Sequence, residues 1–436
     1  MNHQHSLHRQ LKSQTDRLHD QAHNIPYIEQ VLKSQVPLVS YIGQLRALAI
    51  IQGTLEHQLS ALDQPEIKEI LKHLSPRLPL ILSDLEFLKA TEEKDIIPAI
   101  SEALAVADKI MLYSQTAPYM LLGYVYTLEG SVHGGRILQK HITEAFGLKG
   151  GGGITYLSSY GKYFIRFWKG FVNDLDTRIT QSAQKEDIAF AARELFIHLM
   201  NIYESLLPVD EKNLGHHITR FNPEAGNYPI TTNPLEIEAA IKAGITCWNE
   251  FPYYEKRYGD RGRRFTVSDA VWLVSLADFP EEIALGQVQW LAHFLAIRGM
   301  PTYTMEFQMR SLHAGLSKTA PADGQKYLKL LHAAEALKAQ RNDHINDRQL
   351  KACNLIFEYH VHAYGVKDPF SLELQRNTGC LLASALADER NGIPGAAGLK
   401  DWLTNSEIFP ENWIQAVEKT WQEIDGLSHS ADIAGA

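Results

Sequence analysis

Leu121-Leu-Gly-Tyr-Val-Tyr-Thr-Leu-Glu-Gly-Ser-Val-His-Gly-Gly-Arg-Ile-Leu138 is the stretch on which the reading of this chain turns. Its apolar residues recur at helical spacing, yet it holds glycines at 123, 130, 134 and 135. Each costs roughly 1 kcal/mol relative to alanine in a helix interior. Spacings of seven and four put Gly123, Gly130 and Gly134 on one face. That face has no side chains, so a flat object or another backbone can lie against it. Gly134-Gly135 would also let the helix kink. A close helix–helix crossing of the Gly-xxx-Gly kind explains Gly130 and Gly134 equally well, and spacing does not choose between the two.

The same helical period runs outward in both directions. Leu7, Leu11, Leu18 and Ala22 mark a first helix that stops before Pro26. A longer one is predicted from near Pro37 to about Ala61, with the proline in a favoured first-turn position. Shorter helices are predicted near 65–74, 77–90 and 97–114, then over 117–146, about 159–177 and about 186–206. Lys149-Gly-Gly-Gly-Gly153 breaks the pattern between two of them. Credible alternating strands are few, so the fold class is all-α.

From Leu207 to about Pro234 the helical period disappears in a stretch rich in proline, which reads as a connection. Helices resume after it. Thr266-Val-Ser-Asp269 has capping-box character, Pro280 opens a helix that Gly299 and Pro301 close, and more are predicted near 303–316, 323–340, 348–364, 371–388 and 410–425. The expectation is a first domain over 1–206, a linker over 207–234 and a second all-α domain over 235–436. The 436 residues suffice for both. Lys+Arg 42 against Asp+Glu 51 gives a formal charge of −9, which argues against nucleic acid as a bulk partner. Three cysteines fit a reducing compartment, no run is long and apolar enough for a membrane span, and the first ten residues lack a signal peptide's apolar core. A cytoplasmic protein is expected.

The first helix carries His8, Lys12, Thr15, His19 and His23 on a second stripe. Lys12 and His19 are two turns apart, about 10 Å along one face. A neutral imidazole is a common axial ligand of haem iron, and a lysine two turns away could reach a carboxylate at the edge of the same ring. Exposed histidines on an amphipathic helix are the plainer account of the same spacing.

Four segments, taken in order, resemble the haem oxygenase family, in particular its bacterial biliverdin-forming branch. They are Leu11-Lys-Ser-Gln-Thr-Asp-Arg-Leu-His-Asp-Gln-Ala-His23; Ser75-Pro-Arg77 with Leu82-Ser-Asp-Leu-Glu-Phe-Leu88; Leu128-Glu-Gly-Ser-Val-His-Gly-Gly-Arg136; and Tyr160-Gly-Lys162 with Phe167-Trp-Lys-Gly-Phe171. The resemblance covers roughly residues 6–205. It implies that His19 ligates iron from the proximal side and that the distal helix passes over the other face through Gly130, Gly134 and Gly135. It implies haem as both substrate and cofactor, ring opening to biliverdin, carbon monoxide and ferrous iron by O2, and electrons from an external ferredoxin or NAD(P)H-dependent reductase. Many members have an aspartate that organises distal water where this chain has Ser131, with His133 nearby. Asp16 stands where some have lysine. Lys12, Lys162, Arg166 and Lys169 are the candidate partners for the haem carboxylates, Lys169 first, and Tyr126 and Tyr124 are further pocket candidates.

In the second half, Trp248-Asn-Glu-Phe-Pro-Tyr-Tyr-Glu-Lys-Arg-Tyr-Gly-Asp-Arg-Gly-Arg-Arg-Phe265 packs aromatics among Lys256, Arg257, Arg261, Arg263 and Arg264. It reads either as a site for an anionic group or as a loop pairing its cations with acids such as Glu255 and Asp260. Glu358 and His362 share a helix face as a weak metal pair, beside His360. Cys247, Cys353 and Cys380 lack ligand spacing. Two other functions stay open for the first half. One is a haem carrier or sensor without turnover. The other is a non-haem di-iron oxidase using Glu194 and His198 with Glu56 and His57, although these do not make the repeated Glu-x-x-His pattern of such centres.

Overall fold

The computed structural model describes residues 6–228, 230–393 and 396–431. It divides into two compact units, Met1–Asn227 and Tyr228–Ala436. Both are built from helices, as the periodicity requires.

In the first unit the helices are α1 (Leu7–Ala22), α2 (Pro26–Leu32), α3 (Leu38–Ser60), α4 (Pro65–Leu71), α5 (Leu78–Phe87), α6 (Ile97–Thr116), α7 (Leu121–Gly130), α8 (Val132–Phe146), α9 (Phe164–Arg178) and α10 (Ser182–Ser205). Two of them form the centre. Every residue of α3 from Ser40 to Leu55 is buried, as is every residue of α7 from Leu121 to Glu129. A helix apolar on all sides can only be stable when wrapped by others. Gly123 is where α10 comes closest to α7: a Cβ there would meet the Ile188 carbonyl and, at 2.8 Å, the Ala192 nitrogen. Thr127 ties the same crossing with a hydrogen bond to the Ala192 carbonyl at 3.1 Å. Gly123 therefore serves backbone packing.

Residues 211–222, expected to lie in a connection, fold onto the first unit. Strand β1 (Asp95–Ile96) pairs antiparallel with β2 (Leu214–Gly215). Asp95 accepts the His217 N–H at 2.9 Å and pairs with buried Arg46 at 2.8 Å. A period-based reading sees proline and loss of helix here; it has no view of a two-residue strand whose partner lies over a hundred positions away. The glycine run forms a turn with positive φ at Gly150, Gly151 and Gly153. Buried Asp84 holds the following segment by accepting the N–H groups of Thr155 and Tyr156, each at 2.8 Å.

The second unit comprises α11 (Pro234–Glu250), α12 (Pro252–Ser275), α13 (Glu281–Ala296), α14 (Thr302–Thr319), α15 (Gly324–Asn342), α16 (Asp347–Ala363), α17 (Pro369–Glu373), α18 (Thr378–Arg390), α19 (Ala396–Leu403) and α20 (Glu411–Ala431). Thr266 is inside α12 and caps nothing, because Pro252 starts that helix earlier and Gly259, at φ +53°, absorbs the break. A capping box does occur, at Asn346 and Gln349.

Candidate functional site

The glycine-bearing stretch is two helices that meet at Ser131. The expected kink at Gly134-Gly135 is displaced by a turn. The Ser131 hydroxyl donates to the Leu128 carbonyl at 2.6 Å, and a serine that bonds back into its own helix bends it. The glycines also divide their tasks. Gly130 faces the ring of Trp168, which a Cβ would meet at 3.4 Å. Gly134 faces open space, with nothing within 4 Å of its Cβ position. Gly135 does not share that face: it is buried, 3.3 Å from the Leu157 carbonyl on the segment that Asp84 holds. The open surface is thus at Gly134, while Gly130 is covered by the Trp168 ring.

Beside it is an aromatic cluster centred on Trp168 of α9. Tyr126, His133 and His8 stand 5.3, 5.8 and 6.1 Å from its ring, and His133 packs edge-on against Phe164 at 4.5 Å. His8 Nδ1 and the Tyr126 hydroxyl are 3.2 Å apart. Asp176 of α9 fixes the start of α1 by accepting the Ser6 hydroxyl at 2.7 Å and the His8 N–H at 2.9 Å. Burial lowers the pKa of His8 against the opposing pull of Asp176, and burial with Arg136 lowers that of His133. Burial, with Asp16 and Asp176, pushes the Tyr126 hydroxyl up to about 12. These groups are neutral near pH 7. The sequence reading named Tyr126 and His133 as site candidates but did not join His8 and Trp168 to them and missed Asp176, because α1 and α9 are far apart in the chain.

His19 is exposed on α1, its ring 5.0 Å from His23 and 6.4 Å from Phe196 of α10. Among the described residues no protein hydrogen bond engages its ring nitrogens, so they can still take a ligand. Lys12 is exposed on the same helix, and Arg166 and Lys169 are exposed on α9, the helix that α1 is tied to through Asp176. Lys162 lies over the Tyr163 ring at 5.2 Å. Tyr124 points elsewhere: its hydroxyl donates to Glu194 at 2.8 Å.

The residues proposed for a di-iron centre are not brought together. Glu194 is bonded by Lys109, Tyr113 and Tyr124; burial works to raise its pKa, but these donors bring it below the ordinary glutamate value. His198 bonds Glu102 at 2.7 Å. Glu56 accepts the N–H groups of Arg77 and Leu78 at 2.5 and 3.1 Å. Among the described residues no group of three or more His, Cys, Asp or Glu could hold a metal ion.

In the second unit the cation-rich stretch is helical and its charges are engaged. Lys256 pairs with Glu373 at 2.5 Å, Arg263 with Glu255 at 3.6 Å, and Arg261 lies over the Phe265 ring at 5.0 Å. Arg257 donates to the Gly398 carbonyl at 2.8 Å and stacks on Tyr258 and Trp402. Glu358 accepts from Asn354, and buried His360 bonds Glu423 at 2.8 Å. Cys247, Cys353 and Cys380 are free and buried.

One group missed in the sequence is a buried ion cluster behind the kink. Arg77 donates to the Leu128 carbonyl at 3.0 Å and to Ser159 at 3.2 Å, stacks on Tyr156 at 4.0 Å, and lies 3.5 Å from the Glu129 carboxylate. Its members come from α3, the start of α5, α7 and the 156–160 turn. Glu129 reads in sequence as an ordinary helix glutamate, and only its burial marks it.

The first unit thus combines a glycine-bearing helix pair, open at Gly134, with a first helix that carries exposed His19. The family model described as "Heme oxygenase" matches residues 5–205, a little under half of the chain. Among relatives, "Heme oxygenase 1" of Synechocystis sp. is 25% identical over 202 residues, covering 45% of this chain and 83% of that protein. "Heme oxygenase 1" of Gallus gallus is 23% identical over 262 residues, covering 55% and 88%. A crystal structure of heme oxygenase-1 from Synechocystis sp. PCC6803 in complex with heme aligns at 24% identity and a TM-score of 0.43, covering 46% of this chain and 92% of the other.

Proposed function

We propose that the first unit binds haem and opens its ring to biliverdin, carbon monoxide and ferrous iron, using O2 and electrons from a ferredoxin or an NAD(P)H-dependent reductase. The observation that carries this reading is the open face at Gly134, where a Cβ would meet nothing, inside the segment that matches the family. Bound haem supplies the iron that takes up oxygen and the ring that is cleaved. The residues present fit it. His19, exposed and without a protein hydrogen bond among the described residues, would hold the haem iron through its imidazole. Lys12, Arg166 and Lys169 stand exposed on neighbouring helices to receive its carboxylates. Gly134 leaves room for a flat ring, with Trp168 beside it over Gly130. A neutral imidazole avoids the electron push of a thiolate, which favours O–O cleavage over attack on the ring. The Ser131 hydroxyl proton is committed to Leu128, so Ser131 meets distal water only as an acceptor. Trp168, Phe164 and Tyr126 give the site an apolar wall that limits water.

That same serine supports a second reading, a haem carrier or sensor without turnover, because no carboxylate stands at position 131. Adding haem to the protein and then ascorbate or a ferredoxin system under air separates the two. A Soret band that gives way to biliverdin absorbance supports the oxygenase; a Soret band that persists supports the carrier. No helix among the described residues is long and apolar enough to cross a membrane. A cytoplasmic setting, as the three free thiols suggest, is part of the proposal.

A further inference from the structure

Val125, Leu128 and Glu129 contribute one side of α7 to a cleft of about 150 Å³. Leucines of α3 and α4 line part of it, Gln52, Glu56 and Glu129 line another part, and exposed Ser75 and Pro76 form its mouth. The cluster at this cleft has two carboxyl groups, Glu56 and Glu129, and one guanidinium, Arg77. Arg77 and Glu129 are 2% and 5% exposed, and Glu56 is half-buried. One guanidinium balances one carboxylate, and a second uncompensated carboxylate in such a setting is costly. The cluster therefore retains one proton.

The hydrogen bonds decide where it sits. Glu56 Oε1 accepts from the Arg77 N–H at 2.5 Å, the Leu78 N–H at 3.1 Å and Gln52 Nε2 at 2.8 Å. Burial raises the Glu56 pKa, but these three donors work against it and favour the ionised form. Glu129 has only Arg77, at 3.5 Å, and the neighbouring Tyr160 hydroxyl. Its Oε2 is buried without a hydrogen-bond partner among the described residues. A carboxylic acid at that oxygen is a donor instead of an orphaned acceptor. Gln52 Oε1 is orphaned in the same cleft, so one water accepting from Glu129 and donating to Gln52 satisfies both. Arg77, Glu56, Tyr156 and Tyr160 are the titratable groups that face Glu129. Burial raises the Glu129 pKa, Arg77 opposes it, and Glu56 adds to the rise.

We propose that Glu129 is the proton store of the distal side, holding the one proton it shares with Glu56 and releasing it through cleft water toward the kink at Ser131. The proposal rests on the haem oxygenase reading and places a carboxyl group behind the position where Ser131 lacks one. Cluster and kink are mechanically joined, since Arg77 and Ser131 both donate to the Leu128 carbonyl. In the transfer only a proton moves. It leaves Glu129 Oε2 for water, the carboxylate left behind is paired with Arg77, and a new proton enters from solvent at the Ser75–Pro76 mouth. Glu129 acts through water and is a positioning residue.

Infrared spectroscopy of the full chain without haem tests the proton count. Wild type is expected to show the C=O band of a neutral carboxyl group. Glu129→Gln should lose it. Glu56→Gln should lose it too, because one carboxylate then balances Arg77, and Glu129→Asp should keep it. Asp269, which burial pushes up to about 7, contributes a band of its own, so the shared proton is read in wild-type-minus-variant difference spectra, and the absence of a difference band for Glu129→Gln or for Glu56→Gln overturns it. The second arm uses the haem-loaded chain and follows the pH at which the ferric Soret band shifts. Glu129→Gln should move that transition and Glu129→Asp should bring it back toward wild type. Identical transitions in wild type and Glu129→Gln overturn the link to the distal side while the haem reading stands. A wild-type chain that forms no Soret band overturns the haem reading and the proton's destination together, while the infrared arm still decides the proton count.

Discussion

Arg77 and Leu128 are joined by a hydrogen bond from Nη1 to the main-chain carbonyl at 3.0 Å, and the Ser131 hydroxyl donates to the same oxygen at 2.6 Å. One carbonyl thus fixes both the bend of the glycine-bearing helix and the only guanidinium in its buried ion cluster. Replacing Arg77 with alanine removes the cation that balances the one carboxylate shared by Glu56 and Glu129, and weakens the hold on the bend. Removing one partner of a buried ion pair typically costs about 3–5 kcal/mol. The variant is expected to lose stability of this order in chemical denaturation, and Arg77→Ala combined with Glu129→Leu should recover part of the loss. A single variant as stable as wild type contradicts the assignment.

The glycines should separate under substitution. Gly123→Ala forces a methyl group against the backbone of α10, where overpacking typically costs about 1–3 kcal/mol. Gly134→Ala meets open space and removes a helix-interior glycine, so the haem-free protein should become more stable by up to about 1 kcal/mol. The same methyl group should weaken haem binding. Thermal melts with and without haem read both effects, and a Gly134→Ala chain that binds haem as wild type does argues against a ring lying on that face.

Two glutamates should respond to pH with opposite signs. The Glu194 pKa is lowered in the fold, with burial outweighed by Lys109, Tyr124 and Tyr113, so its contribution to stability is present above its unfolded value and lost as pH falls through the folded one. The Glu129 pKa is raised by burial, so its contribution is full below the unfolded value and lost as pH rises through the folded one. Relative to wild type, Glu194→Gln should lose less stability on acidification, and Glu129→Gln should lose less on raising the pH above the ordinary glutamate range. Denaturation midpoints over a pH series check both signs.

Much of this was legible in the sequence for a physical reason. Helical period and proline position set α1 and α3 to within a residue or two, because both signals are local. The bare face was legible as glycine spacing, but which glycine served packing was not, since Gly123 and Gly135 are explained by Ile188 and Leu157, residues on other segments. The kink fell at Ser131 because a side-chain hydrogen bond outweighed glycine freedom. The Glu56–Arg77–Glu129 cluster and the Asp95–His217 tie escaped notice because each depends on chain-distant partners that no spacing rule connects.

The central claim is that His19 carries haem iron on a unit that turns haem over, and a haem titration of wild type beside His19→Ala tests it most directly. Wild type is expected to develop a Soret band and, with reductant under air, to yield biliverdin. His19→Ala should lose the axially ligated spectrum while keeping its fold by circular dichroism. A His19→Ala spectrum identical to wild type, or a wild-type chain that takes up no haem, contradicts the account.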